Sequence, residues 1–524
     1  MDLLVVGALH TLDPMRPRAE AALIRAGRIA RVGTHDECAR LAGPDVRLVE
    51  VEGCVVPGLI DAHGHPFLHG RSLVEVSCAG ARSEDECVAR VARAAPSAAP
   101  GDWIRGQAWD QNEWPGSRFP THAKLSLAVS AQPVVLARID VHALWCNARA
   151  LELAGIDSNT PDPPGGKILR DPSGAATGVL IDNAMDLVRR AMPTLEQGRV
   201  AEETILRSLR TLVQLGLTSV HDASCGPERL ELYRRLAEED SLPLRVYAMI
   251  DGQGPLSQLD ETMRRWAETP SVGRLTVRSV KLFADGALGS RGAALFEPYQ
   301  DDAGNTGLWL MEPGDLAERI ALVAKAGYQP AVHCIGDRAC AHVLQEFAQL
   351  PAPLRPRAEH LQILRTRDAP LLARSGAIAS MQPIHAVSDG TWAEERLGRG
   401  TERQRGAYAW RQALQAGVPL ALGSDFPVES PDPRLGLRAA IGRKPATGAV
   451  WMPEQRLDRL EALRGFTLGA AYAEFAEGRR GMIREGNDAD LTVLGKDLFA
   501  VPLDELAQLP IVATVVGGLV EFAG

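Results

Sequence analysis

Val55-Val56-Pro57-Gly58-Leu59-Ile60-Asp61-Ala62-His63-Gly64-His65 is an apolar run that ends in two imidazoles one residue apart. Side chains alternate across a strand, so His63 and His65 point the same way and can reach one metal ion. Neutral imidazole is a common ligand for such ions. Two solvated turn histidines would give the same short pattern. The residues downstream decide between these readings.

Strand candidates recur after His63, over residues 217–223, 244–250, 279–285, 330–334, 357–361, 377–382 and 419–425. Helical patterns lie between them. Residues 315–326 place Leu316, Ile320, Val323 and Ala324 on one face before Gly327, and residues 403–416 run up to Gly417. Eight β-α repeats predict an α/β fold, a (β/α)8 TIM barrel with its site at the carboxyl ends of the strands. About 150 residues separate the first two strands, far more than a connecting loop needs. An inserted subdomain is therefore expected at about residues 70–215. Its strand-like run over 133–139 supports this, and Trp109, among the aromatic residues before it, reads either as lining a substrate cleft or as local packing.

Short β-rich runs mark both ends, at 3–6, 21–24, 29–32 and 47–56, then at 490–494, 511–516 and 519–522. Gly517-Gly518 between the last two is a hairpin signal. The expected division is a small composite β-sandwich domain from 1–56 and 466–524, flanking a barrel over 57–465.

The 524 residues exceed one ordinary core. Apolar residues at 45% and charged residues at 23% fit a soluble globular protein. The net charge of -9 argues against nucleic-acid or anionic-membrane partners. No apolar stretch is long enough to span a bilayer, and the first residues lack a secretory signal. Eight scattered cysteines without a Cys-x-x-Cys pair read as reduced thiols, which makes a cytoplasmic location the expectation.

Metal-ligating types recur at the predicted strand ends: Lys281, His333, His360 and Asp425. A lone His or Asp there is usually structural, but in a barrel these ends converge on one volume. We read the cluster as a metal site. Four imidazoles and one carboxylate favour Zn2+ over other divalent transition metals. Lys281 is the odd member, since an unpaired buried ammonium is costly. It can be neutral, paired to an acid such as Asp285, or carboxylated to an anionic carbamate. His385, just beyond the seventh strand, is a candidate for contacting the oxyanion or substrate, and Asp389 either orients it or belongs to a loop.

Residues 57–65 also resemble the first-strand signature of the amidohydrolase superfamily, and Lys281, His333, His360 and Asp425 match its remaining metal positions in order. The stretches 280–291, 333–339, 381–385 and 423–428, with Ile139-Asp140-Val141-His142-Ala143 in the insert, are similar to the amidohydrolase family 3 branch that includes N-substituted formamide deformylases. The resemblance covers essentially the whole chain. It implies that His63, His65 and Asp425 bind a buried metal, and that Lys281, as its carbamate, bridges to a second held by His333 and His360. One ion or two is left open. It further implies cleavage of a non-peptide C–N bond (amide, N-substituted formamide or cyclic amide) by metal-activated hydroxide. Asp425 would shuttle the proton, His385 would assist, and His142, Asp140, Trp109 and Arg291 would bind substrate. The expected partner is a small-molecule substrate, with a homodimer left open. Competing readings are a deaminase or a lactone or ester hydrolase on this scaffold, a non-catalytic relative, and an aldolase-type barrel with Lys281 as a Schiff-base amine.

Overall fold

The computed structural model describes residues 2–99, 101–195, 198–446 and 448–524. Eight parallel strands form its centre, each paired with its neighbour in sequence order: Leu59–Gly64, Leu217–Cys225, Arg245–Asp251, Leu275–Phe283, Gln329–Cys334, Arg357–His360, Ile378–Met381 and Leu420–Leu422. The first, fifth, sixth, seventh and eighth are buried at every position. That is why the first, fifth, seventh and eighth read as largely apolar runs rather than alternating ones, while the sixth buries Arg357, Glu359 and His360. Closure comes just past the eighth strand, where Asp425 N–H donates to His63 O (2.7 Å) and His65 N–H to Phe426 O (2.8 Å). Asp61 ties this seam. It accepts from Ser424 Oγ (2.6 Å), Ser424 N (3.1 Å) and His63 N (3.0 Å). A Cβ on Gly423 would lie 2.6 Å from both Asp61 Oδ1 and His63 N, so only glycine fits there.

The helix expected at 315–326 is present as Pro313–Lys325. The one expected over 403–416 is not continuous. It splits into Glu402–Arg405 and Trp410–Gln415. Between them, Gly406 packs on Leu364 O and Tyr408 turns to φ +51, its N–H bonding Gln362 O at 2.6 Å and its hydroxyl reaching Asp389. Tertiary contacts outweigh helical periodicity here.

Strands from both ends of the chain combine in one seven-stranded sheet around its own core of Leu3, Val5, Ile24, Leu491, Val493 and Val515. Gly517 (φ +56) and Gly518 (φ +79) turn the last hairpin, conformations glycine adopts without penalty. The segment 466–473, grouped by sequence with this terminal unit, packs instead on the barrel. Ala470, Ala471 and Ala473 lie against Ile60, Ala62, Ile378 and Ala421. Between the first two barrel strands the chain builds a six-stranded sheet from residues 76 to 182, with an apolar core on each face. The helix Gly198–Gln214 then leads back to the barrel. No described helix is long and apolar enough to cross a membrane.

Candidate active site

Five barrel strands deliver the predicted ligands to one place. His65 Nε2 lies 3.1 Å and His63 Nε2 3.6 Å from Asp425 Oδ1. On the other carboxylate oxygen, His385 Nε2 lies 3.8 Å and His360 Nδ1 3.9 Å from Oδ2. Lys281 Nζ is 3.3 Å from His63 Nε2, and the His333 ring is centred 4.5 Å from that of His360. Of these groups, His65, Lys281, His333, His360, His385 and Asp425 floor a cavity of about 850 Å³, within the size range of small-molecule sites. His385 sits on the short helix Pro383–Asp389 that opens directly after the seventh strand.

The donor set fits a divalent cation. His63, His65 and Asp425, and likewise His360, His385 and Asp425, place ligand atoms within 4.8 Å of one another. Nε2 of His333 and of His385 are buried without a hydrogen-bond partner among the described residues. Burial, together with the Lys281 charge, lowers the His63 pKa to about 4, so the ring is neutral. Its Nδ1–H points to Glu359 Oε2 at 2.5 Å, which leaves the Nε2 lone pair towards Lys281 and Asp425. Burial lowers the pKa of His333, His360 and His385 as well. The pairing differs from the expected one: His360 groups with His385 and Asp425, while His333 leans towards Asp285, 3.8 Å away.

Lys281 does not pair with Asp285. That carboxylate accepts three backbone N–H bonds, from Ala294 (2.8 Å), Ile335 (3.0 Å) and Gly336 (2.8 Å). Burial instead lowers the Lys281 pKa to about 8, against attraction from Glu359 and Asp425. Asp389 does not orient His385 either, since it accepts from the Tyr408 hydroxyl. Gln362 Nε2 holds His385 Nδ1, at 3.1 Å.

The insert supplies one wall. Asp140 and His142 line the cavity, with Asp140 paired to the buried Arg138, which also grips Asp110. His142 Nδ1 meets Asp182 Oδ1 at 2.6 Å. Burial works against its protonation, but the Asp182 contact prevails and raises the pKa. Two expected substrate contacts fail. Trp109 is fully buried among Trp114, Trp145 and Phe119, its Nε1–H spent on Leu136 O at 2.9 Å. Arg291 pairs with Asp301 at 2.7 Å and does not line the cavity. Local packing accounts for both.

Sequence reasoning missed Glu359, Arg357, Asp182, Gln362 and Glu429. For the first two a signal was present. Arg357 and Glu359 stand at i and i+2 of one strand, so both charges project to the same side of a buried element. Asp182 and Glu429 gave none, because their partners lie elsewhere in the chain or on another element.

A buried His/Asp/Lys cluster at the carboxyl mouth of a parallel barrel defines a metal-dependent hydrolase type of site. The sequence profile of the amidohydrolase family matches residues 52–521, and this chain belongs to that family. It is 31% identical to YtcJ of Bacillus subtilis (strain 168) over 98% of both chains. It is 30% identical to the N-substituted formamide deformylase of Arthrobacter pascens over 99% of this chain and 98% of that one. A metal-dependent hydrolase from Pyrococcus horikoshii OT3 superposes with a TM-score of 0.76 at 26% identity, covering 96% of this chain and 99% of that chain.

Proposed function

We propose that this protein hydrolyses a non-peptide C–N bond, in an amide, N-substituted formamide or cyclic amide. The observation that carries the reading is the convergence of His63, His65, Lys281, His333, His360 and Asp425, from five separate strands, around one cavity. The likeness to a formamide deformylase along the full chain supports the bond type.

His63, His65, His360, His385 and Asp425 would hold Zn2+ or another divalent ion, with His333 and Lys281 at its edge. Held there, such an ion would supply Lewis-acid polarisation of the scissile carbonyl and a bound water with its pKa lowered to about 7. Asp425 takes the proton of the attacking water and delivers it to the departing nitrogen. Its carboxylate is ionised and so open to a proton: burial opposes ionisation, but His65 and His63 beside it hold the pKa well below the usual carboxylate range. The His142 imidazolium, steadied by Asp182, faces the cavity as a donor to the developing oxyanion. Lys281 is carboxylated in this reading. Its Nζ is buried, no carboxylate among the described residues pairs with it, and its depressed pKa exposes the amine that adds carbon dioxide.

Metal analysis of the purified protein, with a panel of N-formyl amines, N-acyl amino acids, cyclic ureas and lactones, tests the assignment. Bound transition metal and turnover of a C–N substrate are expected. Absence of metal, or turnover confined to lactones, would overturn it. Lys281→Ala rescued by short carboxylic acids supports the carbamate, whereas borohydride trapping of substrate on Lys281 would replace it with a Schiff base.

A further inference from the structure

A second cavity, of about 420 Å³, lies against the first. Phe67, Val135, Ala137, Leu144, Met192 and Pro427 give it apolar walls. Of its charged residues, Arg71 and Glu75 pair with each other at 2.6 Å, and Arg105 donates to Pro193 O at 2.7 Å. Leu68, Ile139, Val141 and Arg189 line both cavities, so these four side chains form the partition between them.

The partition stands beside the reacting groups. Pro427 faces the second cavity and Val428 the first, two and three residues after Asp425. On the insert strand Val134–Arg138, alternation sends Val135 and Ala137 to the second cavity and Arg138 to the first. Val141 adjoins His142, whose ring is centred 5.2 Å from that of His333. Val141 itself has φ +54, a conformation that β-branched residues rarely adopt. It is held there by its own N–H on Arg138 O (2.9 Å) and by His142 N–H on Asp140 Oδ1 (3.1 Å). Strain that the surroundings enforce concentrates where ligands are handled.

We propose that the second cavity receives an apolar substituent of the substrate, entering past Val141 and Leu68 while the C–N bond lies at the metal donors. Its volume exceeds the about 150 Å³ that holds a benzene ring. The substrate class is then an amide or formamide bearing an arylalkyl or medium-length alkyl group, not a small or highly charged one.

This rests on the hydrolase reading, so the test has two readouts. Across N-formyl alkylamines from methyl to hexyl, kcat/KM rises about tenfold for every two methylenes buried. Ala137→Phe, which fills the second cavity, flattens that rise. Val141→Gly, suited to the left-handed backbone, widens the opening and moves the preference to longer groups. Independently of turnover, hexanamide raises the melting temperature of the wild type saturably but not that of Ala137→Phe, and acetamide raises neither. Equal chain-length slopes in wild type and both variants, or equal hexanamide shifts in wild type and Ala137→Phe, would overturn the pocket. Hexanamide discrimination without turnover of any amide would leave the pocket standing and remove the hydrolase reading.

Discussion

Replacing Glu359 by alanine strips a carboxylate from between two fully buried partners. Its Oε2 meets His63 Nδ1 at 2.5 Å and its Oε1 lies 2.6 Å from Arg357 Nε, with all three side chains sealed from solvent. Arg357 would keep neutral acceptors, Ala62 O at 2.6 Å and Ser380 Oγ at 3.0 Å, but its charge would be left without a counter-charge. Breaking a buried pair from one side costs about 3–5 kcal/mol. Glu359→Gln preserves shape and an acceptor for the His63 N–H while losing the charge. It should cost less stability and weaken metal binding by about 10–100-fold, as losing the partner behind a ligating histidine does. Denaturant midpoints at constant m-value give the first quantity, and chelator competition the second. A pH series adds a sign. Burial alone would raise the Glu359 pKa, yet Arg357 and His63 hold it well below the usual carboxylate range. The ion pair therefore stabilises the fold above about pH 4.3, the unfolded value, and that stability is lost as the pH falls further. The gap between wild type and Glu359→Gln should thus narrow between about pH 4 and 2. A Glu359→Ala protein within about 1 kcal/mol of wild type, or a gap constant down to low pH, would refute the reasoning.

Asp425→Asn should lower kcat by about 10²–10⁴-fold while unfolding remains cooperative, because its backbone bond to His63 O survives; stopped-time assays and circular dichroism check this. Trp109→Ala should cost about 3–5 kcal/mol and leave the ranking of substrates unchanged, since the indole packs in the insert core and not in the cavity. Burial pushes the Glu429 carboxyl up to about 8, against its bond to the Ser388 hydroxyl. The folded state then keeps a proton that the unfolded chain releases near pH 4.3, so this group makes stability fall as the pH rises from about 4.5 to 8. Melting scans of Glu429→Gln should lack that part of the slope.

The eightfold repeat was legible because most barrel strands, buried on both faces, are largely apolar runs, and seven of the site's side chains sit in or beside the barrel strands. His63, His65, Lys281, His333, His360, His385 and Asp425 could thus be read from local pattern. The 403–416 helix could not, because the contacts of Gly406 and Tyr408 that break it come from Leu364, Gln362 and Asp389. The insert was legible only as an excess of chain. Its own sheet pairing and its docking on the barrel determine that Asp140 and His142 reach the cavity and that Trp109 turns inward.

Sequence alone determined the strand ends and the chemical type of the donors, since both depend on periodicity and residue identity within a few positions. Tertiary structure decided which donor meets which: His360 with His385, His63 with Glu359, His142 with Asp182. Those pairings depend on angles and separations of a few ångströms between elements up to hundreds of residues apart, which no local pattern encodes.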